Sequence, residues 1–380
     1  MKRPWIHIVI LVAASNIVAA QAIHNSTSIF VSKSTTIYWG DVDNNGLILN
    51  NGTIEVTGNW NNQQVYQGLG TIILSGTNQS IDNNDQSVQD LLVIGVGTKT
   101  LNGNLMIDGS IELAAGIINV GDDDTLLVRN GAQVNGGSVV SFVEGALTVE
   151  GTGYKFFPIG RNGVYYPVSL TDIQGVDLTT QLAAFNNLPS VETSAPVDID
   201  PRVYWKRQTI KGGFVGSRVS APVQLNTDDP DRIAFIIGNS FQDEFGIVGS
   251  TGLQSLDGLT FAVSKDPIDK AIFALGEFPE KPAPPPYLST TLSPNASNPD
   301  NRLIKLFSVD INSDNFHFVV VNRWGNTVFE SRSLSDMSTN GWNGKSDGQL
   351  LPSGPYPYSL SYIDKTGTEQ TTRGFVTILY

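Results

Sequence analysis

Between residues 25 and 153 every apolar run is short and is cut off by glycine or asparagine. Runs of that length make strands, not helices. Leu47-Ile48-Leu49 stops at Asn50-Asn51-Gly52, and Thr53-Ile54-Glu55-Val56-Thr57 alternates, so Ile54 and Val56 share one face. Comparable runs lie at 72–74, 91–94, 105–107, 111–113, 117–120, 126–128, 139–140 and 147–149. Short strands with tight turns and no long loops suit a β-solenoid, in which each coil stacks on the last. Glycines recur six residues apart at Gly46, Gly52 and Gly58, and again at Gly97, Gly103 and Gly109. No aliphatic residue regularly precedes them, which favours irregular right-handed coils over a strict hexapeptide helix. An ordinary β-sandwich is the alternative, because periodicity alone does not separate the two.

The remainder completes an all-β chain: a β-solenoid-like region at 23–153, a β-sandwich module at 154–278 and an Ig-like β-sandwich at 287–380. The middle module has longer strand candidates and denser aromatics, and it is placed to cover one end of the coils. Pro279-Glu280-Lys281-Pro282-Ala283-Pro284-Pro285-Pro286 is a semi-rigid polyproline spacer. No amphipathic helix is legible. At the start, Lys2 and Arg3 precede an apolar stretch at 6–12 and a small-x-small site at Ala20-Gln21-Ala22 or Val18-Ala19-Ala20. That pattern predicts a signal peptide over 1–22 and no integral membrane segment.

Charge and rare residues narrow the chemistry. Loss of Lys2 and Arg3 with the leader moves the formal charge from −13 to −15. Phosphate backbones repel such a chain, so nucleic acid is excluded as a partner. There is no cysteine, hence no disulfide and no thiolate metal site. Of three histidines, His7 lies in the leader, His24 at the mature N-terminus and His317 in a C-terminal strand. A Ser-His-Asp hydrolase or a His-ligated zinc site therefore has no material in the body. No catalytic residue is assigned.

Calcium is the one cofactor the sequence allows. Asp41, Asp43 and Asn45, followed by Gly46, match the first half of a calcium loop, but the twelfth position is Gly52 in place of a bidentate Glu. Asp122, Asp123 and Asp124 form a second acidic group, with Arg129 as the nearest base. On a solenoid flank such a group would suit a calcium-dependent polysaccharide lyase; a solvated acidic turn is the plainer reading. Asp124-Thr125-Leu126 also has the form of a short O-glycosylation site. Tyr165, Tyr166, Tyr204 and Trp205 are candidates for a sugar-stacking platform, against a plain core role.

The last quarter carries the sharpest pattern. Asn322-Arg323-Trp324-Gly325-Asn326 is followed by Trp342-Asn343-Gly344-Lys345, then Gly354 and Tyr356. Phe316, Phe318, Val320 and Trp324 are expected to line one inner face. In order and spacing this segment resembles the gliding-motility-associated C-terminal domain of Bacteroidota, the type B sorting domain of the type IX secretion system. The resemblance implies passage through the periplasm to the cell surface or medium, with the type IX secretion machinery as partner. The body is then expected to be a non-enzymatic adhesin-like or structural component, meeting surface glycans or proteins. The lyase is the competing reading.

Overall fold

Alternation along each short run puts one side chain in and the next out, and a turn after every run bends the chain through a corner. Three such sides close a coil. The computed structural model describes residues 21–225, 227, 229–279, 286–307, 311–364 and 367–380. The expected leader lies outside the described residues as far as residue 20, and the proline-rich spacer does so over 280–285. The chain divides into two compact units, Met1–Pro279 and Glu280–Tyr380.

The first unit opens with parallel coils. On one side, strands Gln21–Asn25, the end of Thr36–Asn44, Trp60–Asn62, Gln79–Asp82, Thr98–Leu101, Ile117–Asn119, Val143–Glu144 and Ile159–Arg161 pair in sequence. The second side begins with Ser28–Val31, Leu47–Asn50 and Val65–Gln67, and continues from Ser87 through Asn104–Leu113, Thr125–Val128 and Ala146–Glu150. The third runs from Thr36 through Thr53–Val56, Thr71–Leu74, the ends of Ser87–Val93 and Asn104–Leu113, to Gln133–Gly136. Partners are one coil apart, from the short step Val143↔Ile159 to the long one Ile118↔Val143.

Gly46, Gly52 and Gly58 mark successive corners of one coil, which accounts for their spacing of six. A methyl at Gly52 would lie 2.4 Å from the Thr35 carbonyl oxygen and 2.5 Å from that of Ser32. The corner glycines let one coil's backbone approach the next.

The inward residues form a stack of apolar side chains: Ile54, Val56, Val93, Ile107, Ile111, Leu126 and Val128 have no exposed surface. Parallel stacking ends at an antiparallel module. Val168–Asn186 pairs with the last strand of the second side, Ala146–Glu150, and with the long strand Asp198–Pro222. That long strand then pairs along its other edge with both Ile272–Glu277 and Leu259–Ser264. Ile233–Gly238 and Gly246–Leu256 connect those two, so the hydrogen-bonded path closes on itself. Val168–Asn186 thereby covers the edge of the second side. One core runs from Val31 in the coils to Leu275 in the module, and a second, around Tyr204, Phe245 and Ile236, lies within the module.

The second unit is built on a five-stranded sheet in the order Thr291–Leu292, Glu369–Ile378, Gly354–Asp364, Ile311–Val321, Thr327–Ser331. The first pair is parallel and the rest antiparallel. Phe316, Phe318 and Val320 face its core, with Leu306, Trp342, Leu360 and Val376. A single turn and a half of helix, Leu334–Thr339, buries Met337 in that core; Ser333 caps it by accepting from the Asp336 N–H. The expectation of no helix is thereby corrected. At this length a helix shows no apolar periodicity, and only its Ser-x-x-Asp cap marks it.

Candidate functional site

The coil interior contains polar residues that hydropathy does not reveal. Asn25, Asn44, Asn62 and Asn83 are all buried at one corner. Asn25 Nδ2 donates to Asn44 Oδ1 at 2.6 Å, Asn44 Nδ2 to Asn62 Oδ1 at 2.5 Å, and Asn62 Nδ2 to Asn83 Oδ1 at 3.2 Å. Trp60 Nε1 donates to Asn83 Oδ1 at 3.0 Å. The four recur at the coil period, a signal that was present in the sequence and missed. At another corner Lys99, with no exposed surface, donates its ammonium to the carbonyl oxygens of Gly76, Thr77, Gly95 and Val96 at 2.6–3.2 Å. Burial pushes its pKa down, and the four carbonyl oxygens oppose that by holding the charged form. These groups pin coil to coil and are closed to ligands.

The outer carboxylates cap the neighbouring coil. Asp41 Oδ1 accepts from the Asn59 N–H at 2.7 Å, Asp85 Oδ1 from Asn104 at 3.0 Å and Asp124 Oδ1 from Gly103 at 2.6 Å. Glu144 accepts from the N–H groups of Asn162 and Gly163, and Glu150 from that of Asn130. Asp43 accepts from Asn45 and Asn61 on one oxygen and lies 2.7 Å from His24 Nδ1 on the other. Asp41 and Asp43 are thus engaged as hydrogen-bond acceptors. Asp122 and Asp123 are exposed, and Arg129 pairs with Asp108 at 3.2 Å. Among the described residues no group of three His, Cys, Asp or Glu is arranged to hold a metal.

The sugar-stacking platform is corrected outright, because all four aromatics are buried. Trp205 has no exposed surface; it stacks on Phe273 at 5.5 Å and donates Nε1 to the Tyr166 carbonyl at 3.1 Å. Tyr204 stacks on Phe185 at 5.4 Å, and Tyr165 packs against Phe142 at 5.7 Å. Burial, first of all, raises the Tyr165 phenol well above its ordinary pKa. Neighbours Tyr204 and Trp205 point to opposite faces of one strand, and each face has a core.

The coils do present an ordered outer flank. On the first side Ser80, Thr100, Asn119 and Glu144 follow one another in register. Beside them run His24, Asp43, Asn61 and Asp82. Side chains link the rows: Asn102 Nδ2 donates to Ser80 Oγ at 2.6 Å, Gln63 Nε2 to Asn61 Oδ1 at 2.6 Å and to Asp82 Oδ2 at 3.0 Å. Hydroxyl, amide and carboxylate groups thus repeat at the interstrand spacing of about 4.8 Å.

In the second unit most of the sequence pattern serves the fold. Asn322 Oδ1 accepts from the N–H groups of Trp324 and Asn326, both at 3.0 Å, and Gly325 takes φ +82° in the same turn. Trp342 is buried, stacks on Phe329 at 5.7 Å and donates Nε1 to the Lys345 carbonyl at 2.9 Å. Asn343 Oδ1 accepts from the Lys345 N–H at 3.2 Å, while Gly344 and Gly354 have φ +76° and +146°. Tyr356 donates its hydroxyl back to the Pro352 carbonyl at 2.8 Å, a corner of the kind found in β-sandwiches. Trp324 departs from expectation. Its strand ends at Val321, so alternation no longer governs it, and it stands 73 % exposed at the hairpin tip.

Residues 287–378 match the family model of the CHU_C type IX secretion signal domain. The second unit is thus a type IX C-terminal sorting domain, and the chain is a secreted or cell-surface protein that engages the secretion machinery through it. No curated protein and no solved structure matches the chain. Among the described residues no helix is long and apolar enough to cross a membrane.

Proposed function

We propose that the body is a non-enzymatic surface component, adhesin-like or structural, whose working face is the polar flank of the coils. The observation that carries this reading is the in-register succession Ser80, Thr100, Asn119 with its cross-linked neighbours. A pre-ordered array of this kind meets a repeating polar ligand, such as a glycan chain, at little ordering cost. The reading is also supported by the carboxylates, which are occupied as backbone caps and are not gathered in a cleft. The chain would enter the periplasm on the leader at 1–22, in a Bacteroidota cell, and leave by the type IX route.

Two experiments test this. The protein is run through gels containing plant, algal and bacterial polysaccharides, with calcium and with chelator. Retarded migration that survives chelation, and is lost on Thr100→Arg, is the expected result. Release of new sugar ends would instead establish a lyase or hydrolase. For export, deletion of 287–380 should strand the protein in the periplasm of a type IX-competent host; equal delivery of the truncated chain would refute it.

A further inference from the structure

Each residue of the sorting pattern can be asked what the fold needs it for. Asn322 ties the turn, Gly325, Gly344 and Gly354 take backbone conformations that favour glycine, Trp342 fills the core, Asn343 caps and Tyr356 closes a corner. Asn326 and Lys345 serve the turns through their backbone groups; the side chains of Arg323 and Trp324 have no such duty, and they alone of the pattern's exposed side chains pack on each other. Both are exposed, and the Arg323 guanidinium lies 4.6 Å from the Trp324 ring. An indole held in water by nothing but its own neighbour gives the fold almost nothing.

From this we infer that the Arg323–Trp324 pair is the contact the sorting domain offers to the secretion machinery, an inference that rests on the export assignment. The Asn322 turn fixes the tip rigidly, so little freedom is lost on docking. Tryptophan and arginine dominate the binding energy of protein interfaces, and here they are stacked as one unit. The complement is an apolar cleft wide enough for an indole, flanked by a carboxylate that meets the guanidinium edge-on.

The test uses the full chain in a type IX-competent host, measuring surface or medium against periplasm. Trp324→Ala should lower delivery at least about tenfold, as the loss of an interface hot spot does, while the purified variant melts like the parent. Arg323→Glu, which keeps the indole, should also fall. Phe375→Ala, another exposed aromatic of the same unit, should be delivered normally. Normal delivery of Trp324→Ala overturns the inference, as does an equal loss for Phe375→Ala. The chain lacking 287–380 separates the two claims: its retention beside normal Trp324→Ala export refutes the tip alone, whereas its delivery refutes the export assignment itself.

Discussion

Asn44 donates to Asn62 and accepts from Asn25, so removing its amide strands two buried partners. Asn44→Leu should lower the unfolding free energy by about 3 kcal/mol, since each unsatisfied group costs about 1–3 kcal/mol. Asn61→Ala on the outer flank should change it by less than about 0.5 kcal/mol; chemical denaturation of both variants makes the comparison. Tyr66 gives a pH signature. Burial, the dominant cause, pushes its phenol up to about 12, against some relief from the Asn50 hydrogen bond. The unfolded phenol titrates near pH 10. Its contribution is therefore complete below about pH 10 and is lost as pH rises toward about 12. Melting temperature should fall through that window, and Tyr66→Phe should soften the fall; an unchanged alkaline limb in that variant would count against the assignment. None of these roles was read from hydropathy. Asparagine and lysine count as surface residues until a coil encloses them, and only recurrence at the coil period betrays the asparagines.

At the scale of elements, strands were legible and partners were not. Alternation located Thr53–Val56 and a short apolar run located Thr71–Leu74, but which side of the coil each forms depends on where the corners fall. The glycine spacing held that information in a form that the sequence did not decode. Gly52→Ala places a methyl against two carbonyl oxygens and should cost about 2 kcal/mol or more. Gly131→Ala meets no neighbour, but its φ of +89° should cost about 1 kcal/mol. Thermal melts of the pair separate crowding from backbone strain. The core role of the aromatics holds on both sides: in a half-buried strand adjacent Tyr204 and Trp205 would leave one side chain exposed, and this strand is covered on both faces. Trp324 is the aromatic that misled, because a hairpin turn interrupts the alternation that would have turned it inward.

The whole molecule depends on how its coil stack is finished. Val168–Asn186 covers the second-side edge at Ala146–Glu150, so a chain ending at Glu150 exposes a full strand edge. Light scattering should show that truncated chain associating while the chain through Pro279 stays dispersed; a dispersed truncation would mean that the edge protects itself. The C-terminal domain was legible because rare turn residues mark it. The closed path of the middle module was not, since it depends on one long strand serving two partners at opposite ends. The stepwise pairing of coils also sets an order in time. Each parallel strand finds its mate in the coil just made, so loop closure is short at every step. Folding can then advance from the N-terminus as the chain is synthesised, like a zipper closed one tooth at a time. The sorting domain, last in sequence, is completed when the cargo is already built.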